Sequence, residues 1–184
     1  MSDANLYVIA APSGAGKTTL VKELVKNNPG LRFSISYTTR KQRSNEADGV
    51  DYLFVNQDEF FALRDGDALL ESAVVFDNHY GTSREQVDHH LANGHNVILE
   101  IDWQGARQVR ESMPESITIF ILPPSVEELE RRLRDRRTDT PDVIERRLRD
   151  AKSDMEHHDE FTHVIVNDEL EKAVAELQAI IKPL

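Results

Sequence analysis

Residues 6–19 read Leu-Tyr-Val-Ile-Ala-Ala-Pro-Ser-Gly-Ala-Gly-Lys-Thr-Thr, and this stretch decides the fold. Its first part, Leu6–Ala10, is apolar throughout rather than alternating, the mark of a strand covered on both faces. At Lys17–Asn27 the period becomes helical, with Leu20, Leu24 and Val25 on one face. Strand, glycine-rich turn and helix in immediate succession are the setting of the P-loop pattern G-x-x-x-x-G-K-[ST]. Gly16, Lys17 and Thr18 match it, and Ala11 replaces the first glycine. Gly14 and Gly16 let backbone N–H groups approach a phosphate closely, and the helix N-terminus adds partial positive charge. Lys17 is placed to reach β- and γ-phosphates, and the Thr18 hydroxyl to ligate Mg²⁺. The candidate ATP-binding loop is therefore Ala11, Pro12, Ser13, Gly14, Ala15, Gly16, Lys17, Thr18 and Thr19. A plain glycine-rich turn is the competing reading. The buried strand before it and the helix after it weigh against that.

Three further runs share the buried-strand character: Val97–Ile101, Ile117–Leu122 and His163–Val166. Helical patterns follow them at Gln104–Glu111, at Val126–Arg136 and after Asp168 or Glu169, with Ala173, Leu177 and Ile180 inward. Ser125 with Glu128 three residues on predicts a capping box for the second of these. Alternating β and α elements of this kind predict an α/β fold with a mostly parallel sheet. Residues 32–95 are more polar and richer in Gly and aromatics. They predict short strands at Arg32–Ser36, Tyr52–Val55 and Leu69–Phe76, and helices at Gln57–Arg64 and Ser83–Ala92. This segment reads as a small insertion folding over the sheet. Arg131–Arg149 predicts two helices joined at Arg137–Asp142, and Trp103 is expected to pack between helix and sheet.

The chain has 184 residues, enough for one domain with small insertions. It holds 22 Lys and Arg against 33 Asp and Glu, a formal charge of -11, which argues against coating nucleic acid or an anionic membrane. Small anionic ligands remain compatible with it, because a local basic cluster overrides a mean field. There is no cysteine, which excludes a disulfide framework, a thiolate zinc site and a Cys nucleophile. Met1 to Asn5 carries no basic stretch, and the apolar run 6–12 is short for a signal peptide. A cytoplasmic location is the expectation.

APSGAGKTTL, SISYTTR followed by Arg43, GVDYLFV, NHYGTS, Asp102-Trp103-Gln104-Gly105, FILPPS and VIVND occur in that order. Together they resemble the guanylate kinase family, closely its bacterial type, from about Leu6 to about Ile181. The resemblance implies three parts. One is a P-loop parallel-sheet core with helices on both faces (1–31 and 94–184). The second is an inserted small mixed α/β domain for the nucleoside monophosphate (32–93). The third is an Arg-rich helical lid at about 126–150. It also implies ATP and GMP, with dGMP as a second acceptor, as substrates, Mg²⁺ as cofactor, and transfer of the γ-phosphoryl of ATP to GMP. Nucleic acid and membrane are not expected partners. Monomer and homo-oligomer both remain open.

The resemblance assigns site residues. Arg40 and Arg43, two cationic forks, go to the GMP phosphate with the hydroxyls of Tyr52 and Tyr80. Without it, Tyr52 among apolar neighbours reads as core. Glu71 matches the carboxylate that takes the guanine N1–H and 2-amino group, although alone it reads as a strand-edge surface carboxylate. Ser36 and Thr82 match hydroxyls at the base edge, and Asp102 the carboxylate that completes guanine binding. Glu100, where the family more often has Asp, falls near the water shell of the metal. A buried ion pair with Lys17 is the alternative. Arg132, Arg136 and Arg147 match lid and phosphate-clamp positions and complete the catalytic set with Lys17, and Asn167 matches a residue near the adenine. Eight arginines lie in 131–149. Arg131, Arg134, Arg137, Arg146 and Arg149 are expected to be solvated or paired with Asp135, Glu130 or Glu145. The adjacent pairs His89-His90 and His157-His158 read as solvated or packing residues. Two other readings compete: a non-catalytic module of the same fold, which typically loses the P-loop lysine and lid arginines, and a kinase of a phosphorylated sugar, which has no use for Glu71, Ser36, Thr82 and Asp102 together.

Overall fold

The structure is a computed structural model describing residues 4–135 and 140–182. The elements run β1 (Leu6–Ala10), α1 (Lys17–Asn27), β2 (Leu31–Phe33), β3 (Ser36–Thr38), β4 (Leu53–Phe54), α2 (Gln57–Asp65), β5 (Leu69–Val75), β6 (Asn78–Ser83), α3 (Arg84–Ala92), β7 (Asn96–Glu100), α4 (Trp103–Ser112), β8 (Ile117–Leu122), α5 (Val126–Asp135), α6 (Pro141–Met155), β9 (His163–Val166) and α7 (Leu170–Ile180).

β1 is buried along its whole length because it is the middle strand of a five-stranded parallel sheet, in the order β2-β7-β1-β8-β9. Its side chains alternate between two cores. Tyr7 and Ile9 pack with Leu20, Val21 and Leu24 of α1 and Ala173 and Leu177 of α7. Leu6, Val8 and Ala10 face the other way, onto Val87 of α3 and Ala106 and Val109 of α4. An unbroken apolar run is thus a period-2 pattern feeding two hydrophobic layers. The carboxyl end of β1 opens between β7 and β8, where an open α/β sheet offers a ligand crevice.

The second sheet has four strands in the order β4-β3-β6-β5. The run Arg32–Ser36, expected as one strand, is two: β2 pairs with β7 in the core sheet, and β3 pairs with β4 and β6 in the second. Polar neighbours concealed that change of sheet. α3 likewise packs on the core sheet, through Val87. β5 and β6 form a hairpin turned at Phe76 and Asp77, with φ of 48° and 65°. A two-residue turn with positive φ at both positions matches the twist of the strands it joins.

α4 begins where Asp102 caps it, its carboxylate accepting from Gly105 N at 2.9 Å. α5 carries half of the expected capping box. Ser125 Oγ accepts from Glu128 N at 3.1 Å, while the Glu128 carboxylate is taken by Arg131 at 2.7 Å and Arg132 at 2.9 Å. α5 and α6 form a pair closed by Leu129, Leu133, Ile144 and Ala151. Trp103 is half-buried and packs against the core layer between α4 and the sheet, as expected. It stacks on His157 at 3.6 Å between ring centroids, and its indole N–H donates to Asp154 at 3.0 Å, tying α4 to the foot of α6.

At the far end of the core sheet, Asn96 accepts from Asn5 N at 2.7 Å and donates to Lys182 O at 3.0 Å. Asn96→Ala deletes both bonds and is expected to cost roughly 2 kcal/mol. A urea melt measures it, with activity per folded molecule unchanged because the crevice is at the opposite end of the strands. An unchanged melting midpoint would show that these bonds contribute nothing.

Candidate active site

A cleft of about 500 Å³ lies between the two sheets and the C-terminal half of α6. One end is the loop after β1. Gly14 and Gly16 have φ of 92° and 88°, and Gly16 caps α1 with no side chain on the helix's first N–H groups, which leaves them to an anion. Both glycines are also needed for space. A Cβ at Gly14 would lie 3.0 Å from Leu129 and Leu133, and one at Gly16 would lie 2.5 Å from Asn167 Nδ2. Asn167 is buried and donates to Ala15 O at 2.7 Å, so its amide nitrogen braces the loop from behind. Ala15 points into the core, while Ala11, Pro12, Ser13, Gly14, Gly16, Lys17, Thr18 and Thr19 line the cleft.

Lys17 Nζ donates to Ile101 O at 2.8 Å, and Thr18 Oγ1 to Glu100 Oε1 at 2.5 Å. Glu100 thus pairs with the threonine hydroxyl, whereas the lysine ammonium is anchored on the end of β7. A hydroxyl and a carboxylate in contact at the head of α1 are hard oxygen donors, the set a hard divalent cation takes beside phosphate oxygens and water.

The other end of the cleft holds Ser36, Arg43, Tyr52, Glu71, Tyr80 and Asp102. Glu71 is 4% exposed, not the surface carboxylate its sequence suggests alone. The β5–β6 ladder shifts register between Leu69 and Glu71, and such a bulge re-aims a side chain. Leu70 goes to the core and Glu71 faces Thr82, whose hydroxyl donates to Oε1 at 2.7 Å. Burial pushes the Glu71 carboxyl up to about 7, with Asp102 adding to the rise and Thr82 opposing it. Asp102 caps α4 and also accepts from Gln104 Nε2 at 2.9 Å. Tyr52 and Tyr80 meet edge to face at 6.0 Å, and burial pushes the Tyr52 phenol up to about 12, so it stays a hydroxyl donor. Arg40 grips Glu46 with both terminal guanidinium nitrogens, at 2.7 and 3.1 Å, and lies over the Tyr52 ring. Arg43 reaches the same carboxylate at 3.9 Å. Ser36 sits opposite Thr82 in the β3–β6 ladder.

Of the predicted lid residues, Arg147 lines the cleft and lies 5.4 Å from the Phe76 ring. Arg132 is held by Glu128 and by Asn167 O at 3.1 Å, behind the loop rather than in the cleft. Arg136 and Arg137 lie outside the described residues. Arg131 pairs with Glu128 and Asp135, Arg134 with Glu130, and Arg146 with Asp77 at 3.1 Å, a bond from α6 to the β5–β6 turn. The sequence reading missed Asp150 and Asp154, which line the cleft from α6. Their signal was present: Arg147, Asp150 and Asp154 share one helical face. Burial pushes Asp154 up to about 6, against the pull of the Trp103 indole.

Known proteins resemble this chain over nearly its whole length. The family profile described as guanylate kinase matches residues 3–184. A guanylate kinase of Alkalilimnicola ehrlichii is 55% identical over 175 residues, 95% of this chain and 86% of that protein. One of Escherichia coli K12 is 48% identical, with 99% and 89% covered. Among solved structures, a guanylate kinase of Anaplasma phagocytophilum superposes with a TM-score of 0.82 at 32% identity, covering 98% of this chain and 85% of that one. The SH3-kinase fragment of tight junction protein 3 aligns at 0.52 and 12% identity over 96% of this chain and 55% of its own, a likeness of fold alone.

Glu71 generates a stability prediction. Its carboxyl is raised from 4.5 to about 7, so the fold favours the protonated form. That contribution is complete below the unfolded value and is lost as pH rises through about 7, amounting to roughly 3 kcal/mol. Glu71→Gln, neutral throughout, should therefore gain Tm relative to the parent by several degrees between pH 5 and pH 8. Calorimetry at both values tests this, and a Tm difference independent of pH contradicts it.

Proposed function

The chain belongs to the guanylate kinase family, and from that premise we propose how its cleft divides the work of phosphorylating GMP. It is an ATP-dependent kinase that converts GMP to GDP. One observation carries the assignment of residues: a backbone cradle for phosphate and a buried carboxylate face the same cleft.

The loop Ala11–Thr19 holds the ATP phosphates through its N–H groups, with Lys17 as the mobile positive charge. Lys17 leaves the Ile101 carbonyl for a phosphate oxygen, exchanging a neutral acceptor for a charged one. Thr18, and Glu100 through water, are the groups that would hold Mg²⁺, which would supply charge neutralisation to the phosphates. Arg43, Tyr52 and Tyr80 take the GMP phosphate, and Arg40 joins them by exchanging Glu46 for it. Glu71 accepts from the guanine N1–H and 2-amino group, helped by Ser36, Thr82 and Asp102. Arg147 stabilises the transferring phosphoryl from α6. Arg132 and Asn167 act from behind the loop. Arg136 keeps the lid role its sequence position implies. In domain terms, ATP belongs to the core (1–31 and 94–184), GMP to the insertion (32–93), and 126–150 closes as the lid.

No general base is required, because the attacking phosphate oxygen is already ionised. The work is in-line positioning and charge neutralisation, with closure of the two arms excluding water. The same chemistry accommodates dGMP.

Lys17→Met is expected to lower turnover by at least about 100-fold while the melting curve stays close to that of the parent. A coupled ADP-release assay over GMP, dGMP, AMP, UMP and ribose bisphosphate tests the substrate assignment. GMP and dGMP should turn over and the others should not. Absence of GMP turnover would overturn the reading, and a Lys17→Met variant of parental rate would remove Lys17 from the mechanism.

A further inference from the structure

Glu71 stands on β5, the edge strand of the second sheet, so among the described residues no neighbouring strand fixes its outer side. Helix α4 of the core takes that place. Gln108 accepts from Ser72 N at 3.0 Å and donates to Ser72 O at 2.8 Å, so its side-chain amide satisfies both backbone groups of the residue after Glu71. The amide thus imitates the partner a ladder would supply. One turn earlier, Gly105 lies against the carboxylate itself. A Cβ there would stand 2.4 Å from Glu71 Oε2 and 3.0 Å from its Cδ.

Gly105 is an ordinary helical residue in the first turn of α4, so no special backbone angle demands a glycine. Glycine is the poorer helix former, and an alanine would favour the helix. What the glycine supplies is room. The Glu71 carboxylate is therefore located by three contacts: the Thr82 hydroxyl on Oε1, the bare helix surface against Oε2, and the Gln108 clamp on the strand behind it.

We propose that Gly105 and Gln108 are positioning residues that set the guanine selectivity of the cleft by fixing the Glu71 carboxylate. The inference rests on the reading of Glu71 as the guanine acceptor. Guanine offers two donors in one plane, N1–H and the 2-amino group, and a carboxylate meets both only when its own plane and position match. A shift of about 1 Å keeps one bond and loses the other. Hypoxanthine offers N1–H alone, so a displaced carboxylate should treat the two bases more alike.

The test measures kcat/KM for GMP and for inosine monophosphate, with KM for ATP, in the intact enzyme and in Gly105→Ala, Gln108→Met, Glu71→Gln and the two double variants with Glu71→Gln. Gly105→Ala and Gln108→Met should each lower the GMP-to-inosine-monophosphate ratio about tenfold, chiefly through KM for GMP, with KM for ATP within about twofold. In the Glu71→Gln background neither should lower the ratio further, because residues acting through one carboxylate are not additive with its loss. Equal losses on both acceptors, or full additivity with Glu71→Gln, would overturn the inference while leaving the role of Glu71 intact. If Glu71→Gln alone leaves the ratio unchanged, the parent reading falls and this inference with it. Thermal melts of Gly105→Ala separate displacement of the carboxylate from unfolding.

Discussion

A carboxylate that is 4% exposed loses its charge unless the protein supplies donors, and the acceptor half of this molecule is organised around that constraint. Thr82 supplies one hydroxyl, and Lys17 a favourable charge across the cleft. Burial outweighs those contacts and holds the carboxyl up at about 7. Such a group is a poor structural element and a good receptor. Two ligand N–H donors arriving at a desolvated carboxylate complete what the protein has left incomplete, so ligand binding favours the ionised form. On the proposed assignment of Glu71 to guanine, a base lacking those donors would leave the buried charge unserved, which is the physical basis for discriminating between purines.

Charge is arranged the same way over the whole chain. The formal balance of -11 describes solubility, yet the cleft gathers Lys17, Arg43 and Arg147 around positions meant for anions. Arginines are also held by carboxylates: Arg40 and Arg43 by Glu46, Arg132 by Glu128, Arg146 by Asp77. The Arg40 pair is the instructive one. Its geometry is that of a fork on a planar anion, and a phosphate is the stronger competitor for the same fork.

The core and its phosphate loop were legible in the sequence because each local signal had one physical meaning. An unbroken apolar run has to be covered on both faces, and a glycine-lysine-threonine turn before a helix has to present N–H groups. β1, β8, β9 and α1 have the bounds those signals gave. The second sheet was less legible. Its strands are two to seven residues long, β6 is made largely of polar residues, and the passage from β2 to β3 changes sheets within two residues. No local pattern encodes such a change. The burial of Glu71 was equally hidden, since it depends on a bulge and on a helix thirty-odd residues away. Asn167 shows the same limit in another form. The resemblance puts it near the adenine, and no local pattern announces that its amide nitrogen also braces the loop through the Ala15 carbonyl.

α4 emerges as the mount that relates the three parts of the site. Its first turn is capped by Asp102, whose neighbour Ile101 holds the Lys17 ammonium. Gly105 and Gln108 carry the edge strand with Glu71. Trp103 and Arg107 reach the foot of α6, through the stack on His157 and the pair with Glu160 at 2.5 Å. One ten-residue helix thus adjoins the residue that holds Lys17, the strand that carries Glu71 and the C-terminal end of α6. The family reaction needs two anionic ligands brought in line without a general base, so its rate depends on distances rather than on acid–base chemistry. A single rigid element that touches all three parts is a physical solution to that demand.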